Sequence, residues 1–230
     1  MKNKKKPQNK LNNAQIRPLF PTPFIVGEIP DIDMCERLEQ VIRKEMSLGL
    51  GVVEAHNGVY TTNDQLHEKG RGFEELNDLI MGEAGQFMDW LQLKRDGHQI
   101  VGMWANVTTK HHRHPMHIHP NSYISGVCYL RVPENAGNLV FSDPRAGARV
   151  IEPDYHLMNE YNCGIYAHKP VKGTILLWPS WMPHGVEQGN VAEGEERIAI
   201  AFNVQMIGLI ERHTSKMKFS KILEKKRAIQ

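Results

Sequence analysis

The stretch KHHRHPMHIH, residues 110–119, carries histidines at 111, 112, 114, 117 and 119, and a strand-like apolar run follows it at once. In a strand, side chains two positions apart share a face, so His117 and His119 can offer two imidazoles to one metal ion. Pro115 interrupts the strand before that pair, and His111, His112 and His114 read as a surface cluster. A third candidate ligand, His184, follows the apolar run GTILLWP and a Pro-Ser-Trp turn, which places it at a strand rim. Thirteen positions later Arg197 opens RIAIAFNV. With period-two alternation, Arg197, Ala199 and Ala201 share one face, and Ile198, Ile200 and Phe202 share the other. A charge beside two alanines marks an interior with room in it. A guanidinium buried there needs an anion, and a carboxylate gripped by two parallel hydrogen bonds is its natural partner.

The elements that must position these residues change character along the chain. Residues 1–14 are polar and without periodicity, which predicts a disordered basic tail. PLFPTPFIVGEIP is apolar but broken by prolines, an edge strand or extended arm. The run from Asp31 to Gly51 reads as a helix, with Asp33 and Glu36 in capping-box spacing. Residues 51–72 read as a Gly-rich loop. A second helix is predicted over residues 73–93, with Phe73, Leu76, Ile80, Phe87, Met88 and Leu91 as its apolar stripe. After residue 97 come HQIVGMWANVT, SYISGVCYLRV, GNLVFSDP, GTILLWPS and RIAIAFNVQMI, short β-rich runs punctuated by Gly, Pro, Asn and Asp. So many short strands predict a sandwich or barrel with two helices packed outside it. One domain is expected over residues 15–210, followed by a basic tail or helix at 211–230.

Composition is that of a globular chain: 230 residues, 40% hydrophobic and 23% charged. No apolar run is long enough to span a bilayer, and the basic N-terminus lacks the apolar stretch of a secretory signal. Three widely spaced cysteines (Cys35, Cys128, Cys163) read as reduced thiols, with Cys128 in the core, so a cytoplasmic location is expected. The net charge of +2 hides an asymmetry: residues 1–17 carry +6 and residues 211–227 carry +5, which leaves −9 on residues 18–210. Basic tails on an acidic body can contact nucleic acid, but no aromatic residues are interleaved with these lysines to form a stacking platform. Solubility or docking onto the body is the expected role of the tails.

Four phrases in fixed order carry a resemblance: HIHPNSYISGVCYL (117–130), GNLVFSDPR (137–145), PSWMPHGV (179–186) and RIAIAFN (197–203). Together, over roughly residues 100–206, they resemble the iron(II)/2-oxoglutarate-dependent dioxygenases, in the prolyl-hydroxylase-like branch. Within it they look like a group of bacterial and phage proteins whose text runs HxHP. The resemblance implies a double-stranded β-helix, a cupin-like jelly roll, flanked by helices. It implies iron(II) held by His117, His119 and His184, and 2-oxoglutarate held at its far carboxylate by Arg197 and Tyr129. Asn106, on an earlier strand, is a further candidate for the co-substrate pocket. The implied reaction uses dioxygen, decarboxylates 2-oxoglutarate to succinate and hydroxylates a C–H bond of a peptidyl (prolyl) or small-molecule substrate.

One position departs from the family text. Most members carry aspartate or glutamate where this chain has His119, and the usual set is two histidines and a carboxylate. Thiol dioxygenases use three histidines, so iron and oxygen chemistry stays open to the set. Two other readings remain: a three-histidine cupin-type enzyme in which Arg197 binds the substrate's own carboxylate, and a non-enzymatic protein that interacts through its basic tails. An all-histidine set should lose metal as the pH falls through roughly 6.5, where free imidazole titrates.

Overall fold

The proline-broken arm yields only four residues of strand, β1 (Ile25–Glu28). The structure is a computed structural model and describes residues 13–54, 59–109, 112–145, 147–212 and 215–222. Helix α1 (Asp33–Ser47) follows, one turn shorter than the run of helix formers. The capping box is not used. Ile32 occupies the cap, and the Asp31 carboxylate accepts the Asp33 N–H at 3.0 Å while pairing with Arg37. Asp31 wins because its carboxylate reaches the same unsatisfied helix-start donors from two residues further back.

The stretch expected to be a loop at 51–72 contains a hairpin, β2 (Val52–Glu54) and β3 (Val59–Thr61), followed by α2 (Glu74–Trp90). The remaining strands are β4 (Gly97–Thr108), β5 (His114–His117), β6 (Ile124–Arg131), β7 (Leu139–Ser142), β8 (Ile165–His168), β9 (Thr174–Pro179), β10 (His184–Val186), β11 (Arg197–Arg212) and β12 (Ser215–Phe219). Where a tail or helix is expected from residue 211, β11 runs on to Arg212 and turns back as β12. Residues 1–12 and 223–230, which hold most of the tail charge, lie outside the described residues.

Pairing is antiparallel throughout both sheets. An eight-stranded sheet runs β1-β9-β6-β11-β4-β3-β2, with β12 added to β11, and a four-stranded sheet runs β5-β10-β7-β8. This is the double-stranded β-helix that the strand count and the resemblance predict. The larger sheet has an apolar face on each side. Ile198, Ile200, Phe202 and Val204 of β11 pack with Met103, Ala105, Cys128 and Leu130 against Leu38 and Ile42 of α1 and Leu76, Ile80 and Phe87 of α2. The opposite face presents Val127, Tyr129, Leu176, Trp178 and Ala199 to Leu139 and Phe141 of the smaller sheet. The alternation read from RIAIAFN therefore holds, with bulky residues toward the helices and small ones toward the interior of the sandwich. Phe24, just before β1, closes one side: its ring lies 5.1 Å from that of Phe141, 5.8 Å from Tyr166 and 5.9 Å from His168. Cys35 and Cys128 are buried free thiols and Cys163 is half-buried and free. Among the described residues no helix is long and apolar enough to cross a membrane.

One glycine of the larger sheet is required by a close approach. Gly126 of β6 stands opposite Phe202 of β11 and Leu177 of β9, and a β-carbon there would run into the Phe202 ring. Gly126→Ala should destabilise the protein by about 3 kcal/mol, the upper end of what overpacking costs, and Phe202→Leu in the same chain should recover part of the loss. Urea unfolding checks this; an alanine variant within about 0.5 kcal/mol of wild type would show that the ring has room to move.

Candidate active site

His117 and His184 meet because their strands do. β5 ends at His117, β10 begins at His184, and the two are register partners in the smaller sheet. Gly185 permits the approach, since a β-carbon there would lie 2.7 Å from the His114 carbonyl oxygen. On its other side His184 pairs with Phe141 of β7. The ring of Trp178 lies 4.8 Å from His184 at 67°, and that of Phe141 lies 6.0 Å away, so this imidazole is walled by aromatics and only 3% exposed.

His119 arrives differently from the i, i+2 strand geometry expected of it. β5 stops at His117, and His119 lies in the following turn, where its N–H donates to the Ser180 carbonyl at 3.0 Å. The Pro-Ser-Trp turn after β9 thus holds the second imidazole. The ring centroids of His117, His119 and His184 lie 4.4–5.0 Å apart, and one nitrogen from each falls within 4.8 Å of the others. His114 packs edge-on against His117 at 4.4 Å but is not part of this convergent set, and His112 lies 6.3 Å from His114. His111 lies outside the described residues.

The hydrogen bonds select the coordinating atoms. His117 Nδ1 lies 2.8 Å from the Pro115 carbonyl and His184 Nδ1 lies 2.8 Å from the Met182 carbonyl, so each must donate its Nδ1–H. That leaves Nε2 of both rings as bare lone pairs, and His184 Nε2 stands 3.2 Å from His119 Nε2. Imidazoles oriented through a backbone carbonyl in this way are the usual supports of metal ligands. Burial keeps His119 and His184 neutral: the His119 pKa is pushed down to about 4 and that of His184 to about 3, by desolvation first, with the neighbouring histidine charges adding to it. Neutral imidazole is the form that binds a cation, so the donor set fits a divalent metal.

Arg197 starts β11, is 6% exposed, and carries its guanidinium carbon 5.1 Å above the Tyr129 ring. Among the described residues no carboxylate forms an ion pair with it, and its buried Nε and the buried Tyr129 hydroxyl make no hydrogen bond. Burial pushes the Tyr129 phenol up, and the Arg197 charge pulls against that. Tyr129, Ala199 and Asn106 are register partners across β6, β11 and β4, so they form one row on the interior face. Asn106 is half-buried, and its Oδ1 accepts from Thr61 Oγ1 of β3 at 3.0 Å, which ties part of its amide to the hairpin.

Sequence reasoning missed Trp104, whose ring lies 5.9 Å from His119, and Trp178, whose buried Nε1 makes no hydrogen bond. Alternation could have found Trp104, which stands two positions from Asn106 on the same face of β4. Beside His119 a cavity of about 420 Å³ opens, lined by Trp104, Asn121, Ser122, Asn203, Gln205 and Phe219 among others.

Comparison with known proteins follows this geometry. Residues 102–203 match the family model described as "Putative 2OG-Fe(II) oxygenase". No curated protein matches the chain. Among solved structures, a Pseudomonas putida prolyl-4-hydroxylase superposes with a TM-score of 0.58 at 14% identity, covering 81% of this chain and 94% of that one. A prolyl hydroxylase of Trichoplax adhaerens, in complex with a hypoxia inducible factor peptide fragment, gives 0.55 at 16% identity, over 80% and 83%. HygX of Streptomyces hygroscopicus, with nickel and 2-oxoglutarate bound, gives 0.53 at 16% identity, over 80% and 83%. These likenesses show a shared fold, and the matched segment contains the three converging histidines, Tyr129 and Arg197. Residues 102–203 thus resemble the 2OG-Fe(II) oxygenases in sequence, and the chain shares the fold of the solved ones.

Proposed function

We propose that the protein is an iron(II)- and 2-oxoglutarate-dependent dioxygenase that hydroxylates a C–H bond of a peptidyl or small-molecule substrate. The net reaction takes one dioxygen: one oxygen atom enters the new hydroxyl group, the other enters succinate, and 2-oxoglutarate loses carbon dioxide. His117, His119 and His184 would hold the metal through one nitrogen each. Bound iron(II) supplies the redox chemistry by which dioxygen reacts with 2-oxoglutarate and with the C–H bond. Arg197 and Tyr129 bind the far carboxylate of the co-substrate, Arg197 with charge and Tyr129 with its hydroxyl. Trp178 and Phe141 exclude water from His184. The observation that carries this reading is the buried Arg197, with no carboxylate partner among the described residues, stacked on Tyr129 in the same interior cluster as the Trp178 and Phe141 that wall His184. An unpaired guanidinium in that place is costly, and a dicarboxylate repays it.

A second reading is favoured by His119 itself. Three neutral ligands donate no negative charge, and three-histidine cupin-type enzymes act without 2-oxoglutarate. Arg197 would then hold the substrate's own carboxylate. The two readings part at Arg197 in the absence of any organic substrate. In the manganese-loaded protein under nitrogen, wild type should bind 2-oxoglutarate. Arg197→Ala should keep manganese but lose co-substrate affinity by roughly 30-fold to several thousand-fold, the about 2–5 kcal/mol of a broken charge pair. Arg197→Lys should recover only part of it, because lysine cannot make the two-pronged contact. Calorimetry reads both. Equal binding by wild type and Arg197→Ala, or none by either, gives the site to the second reading.

Burial of the imidazoles also sets a pH dependence. The folded-state pKa values of His119 (about 4) and His184 (about 3) lie below the roughly 6.5 of an unfolded chain. Between those limits the unfolded chain binds more protons, so falling pH favours unfolding. The metal loss expected near pH 6.5 is correspondingly deferred for these two ligands. The melting temperature of the metal-free protein should fall steadily from pH 7 to pH 5. A chain carrying both His119→Gln and His184→Gln should show a shallower fall; identical slopes would mean that these imidazoles are solvated in the folded state.

A further inference from the structure

Under His119 lies a run of hydroxyl groups that the reading above does not use. Ser122 Oγ is 3.2 Å from the His119 carbonyl oxygen and 3.0 Å from Ser180 Oγ. Ser125 Oγ is 2.8 Å from Ser180 Oγ and 2.7 Å from Asn203 Oδ1. Ser125 and Ser180 are each 1% exposed, so bulk water does not complete their bonds. These residues come from four places in the chain: the turn after β5, β6, the turn after β9 and β11. Ser125 and Asn203 are register partners of β6 and β11, and Ser180 is tied to the 119–123 turn twice, its carbonyl accepting the His119 N–H and its N–H donating to the Tyr123 carbonyl.

Counting protons fixes the direction of the chain. Four contacts need four protons, and the three serines supply one each. The His119 carbonyl has none to give. With Asn203 Oδ1 facing Ser125 one contact lacks a proton; turning the amide over so that Nδ2–H faces Ser125 supplies it, the oxygen and nitrogen of an amide being interchangeable in shape. With that orientation every group is satisfied in one sequence. Asn203 donates to Ser125, Ser125 to Ser180, Ser180 to Ser122, and Ser122 to the His119 carbonyl. Bonds aligned head to tail polarise one another and strengthen the last member.

Resting on the metal-site reading above, we infer that Asn203, Ser125, Ser180 and Ser122 are positioning residues that hold His119 in ligating geometry, at the place where a carboxylate is usual in this family. The backbone of residue 119 is gripped at both polar groups, its N–H by the Ser180 carbonyl and its carbonyl by the end of the hydroxyl chain. The imidazole, on a turn rather than a strand, inherits its position from that grip. Asn203 and Ser122, the two ends of the chain, also line the 420 Å³ cavity beside Trp104. A molecule bound in that cavity reaches the anchoring of His119 without touching the metal.

The test uses the full-length protein titrated with Mn(II) by calorimetry and loaded with Co(II) for its visible ligand-field spectrum. Ser180→Ala and Ser125→Ala should each weaken Mn(II) binding by about 10- to 100-fold, the usual cost of losing a supporting hydrogen bond behind a ligand. Both should also shift the Co(II) bands, which a purely structural role would leave in place. Asn203→Asp separates the two directions of the chain. If Nδ2–H is the donor, aspartate cannot replace it and affinity falls despite the added negative charge; a rise in affinity overturns the assignment. Unchanged affinity and spectrum in Ser180→Ala and Ser125→Ala overturns the positioning role while wild-type binding leaves the metal site standing. Absence of Mn(II) and Co(II) binding by wild type overturns both. Should Ser180→Ala fail to fold, Ser125→Ala, which touches no backbone of the 119–123 turn, decides alone.

Discussion

β11 has to satisfy two environments at once, and most of the molecule is arranged around that demand. Its successive side chains point to opposite faces, so any residue suited to one side is followed by one that must suit the other. Ile198, Ile200 and Phe202 seal the larger sheet against the two helices. Ala199 and Ala201 leave depth on the opposite side, and Arg197 can then be carried inside the sandwich on a strand that is rigid because its other face is fully packed. Were the helices absent, the alternation would expose three bulky residues to water. The helices contribute nothing to the candidate chemistry, yet the depth of the pocket exists because they cover its back.

The smaller sheet answers a different requirement, which is convergence. Strands β5 and β10 are only four and three residues long, too short to be rigid alone. They gain stiffness from pairing with each other and from the aromatic wall of Phe141 and Trp178. Two imidazoles are placed by strand register and the third by a turn, so the set mixes one stiff edge with one adjustable corner. The side-chain hydroxyls behind that corner compensate for the missing strand.

Much of this was legible in the sequence where periodicity carries the signal. The two-residue alternation of RIAIAFN placed Arg197 and the alanines inside, and the apolar strand before Pro-Ser-Trp placed His184 at a rim. The ordered phrases from HIHP to RIAIAFN gave the family and the sheet topology that goes with it. What stayed hidden depends on contacts between distant turns. His119 sits where it does because of Ser180, and no local pattern joins those positions. The serines look like ordinary loop residues until the turns meet. The hairpin β2–β3 is built from three-residue strands in a Gly-rich stretch, too short for any period to show. β12 is exposed along nearly its whole length, and its Lys-Met-Lys-Phe alternation is too short and too basic to stand out from a tail. Asp31 displaced Asp33 at the start of α1 because cap choice depends on where the chain enters the helix.

The order of pairing has a kinetic meaning. In the seal at one side of the sandwich Ile25 meets Leu177, and in the site itself His117 meets His184. Contacts so far apart in the chain cannot form until most of it has been made, and closing such loops is slow compared with forming a helix. Helices α1 and α2 and the β2–β3 hairpin can take shape early from local contacts. The three imidazoles can assemble only after β9 has docked and the Pro-Ser-Trp turn is in place, and Phe24 can close the side only after that. During synthesis the emerging chain therefore passes through a stage in which the larger sheet lacks β9, its strand edges are unpaired and the histidines lie apart. The candidate site therefore needs the chain as far as His184 before its three imidazoles can converge.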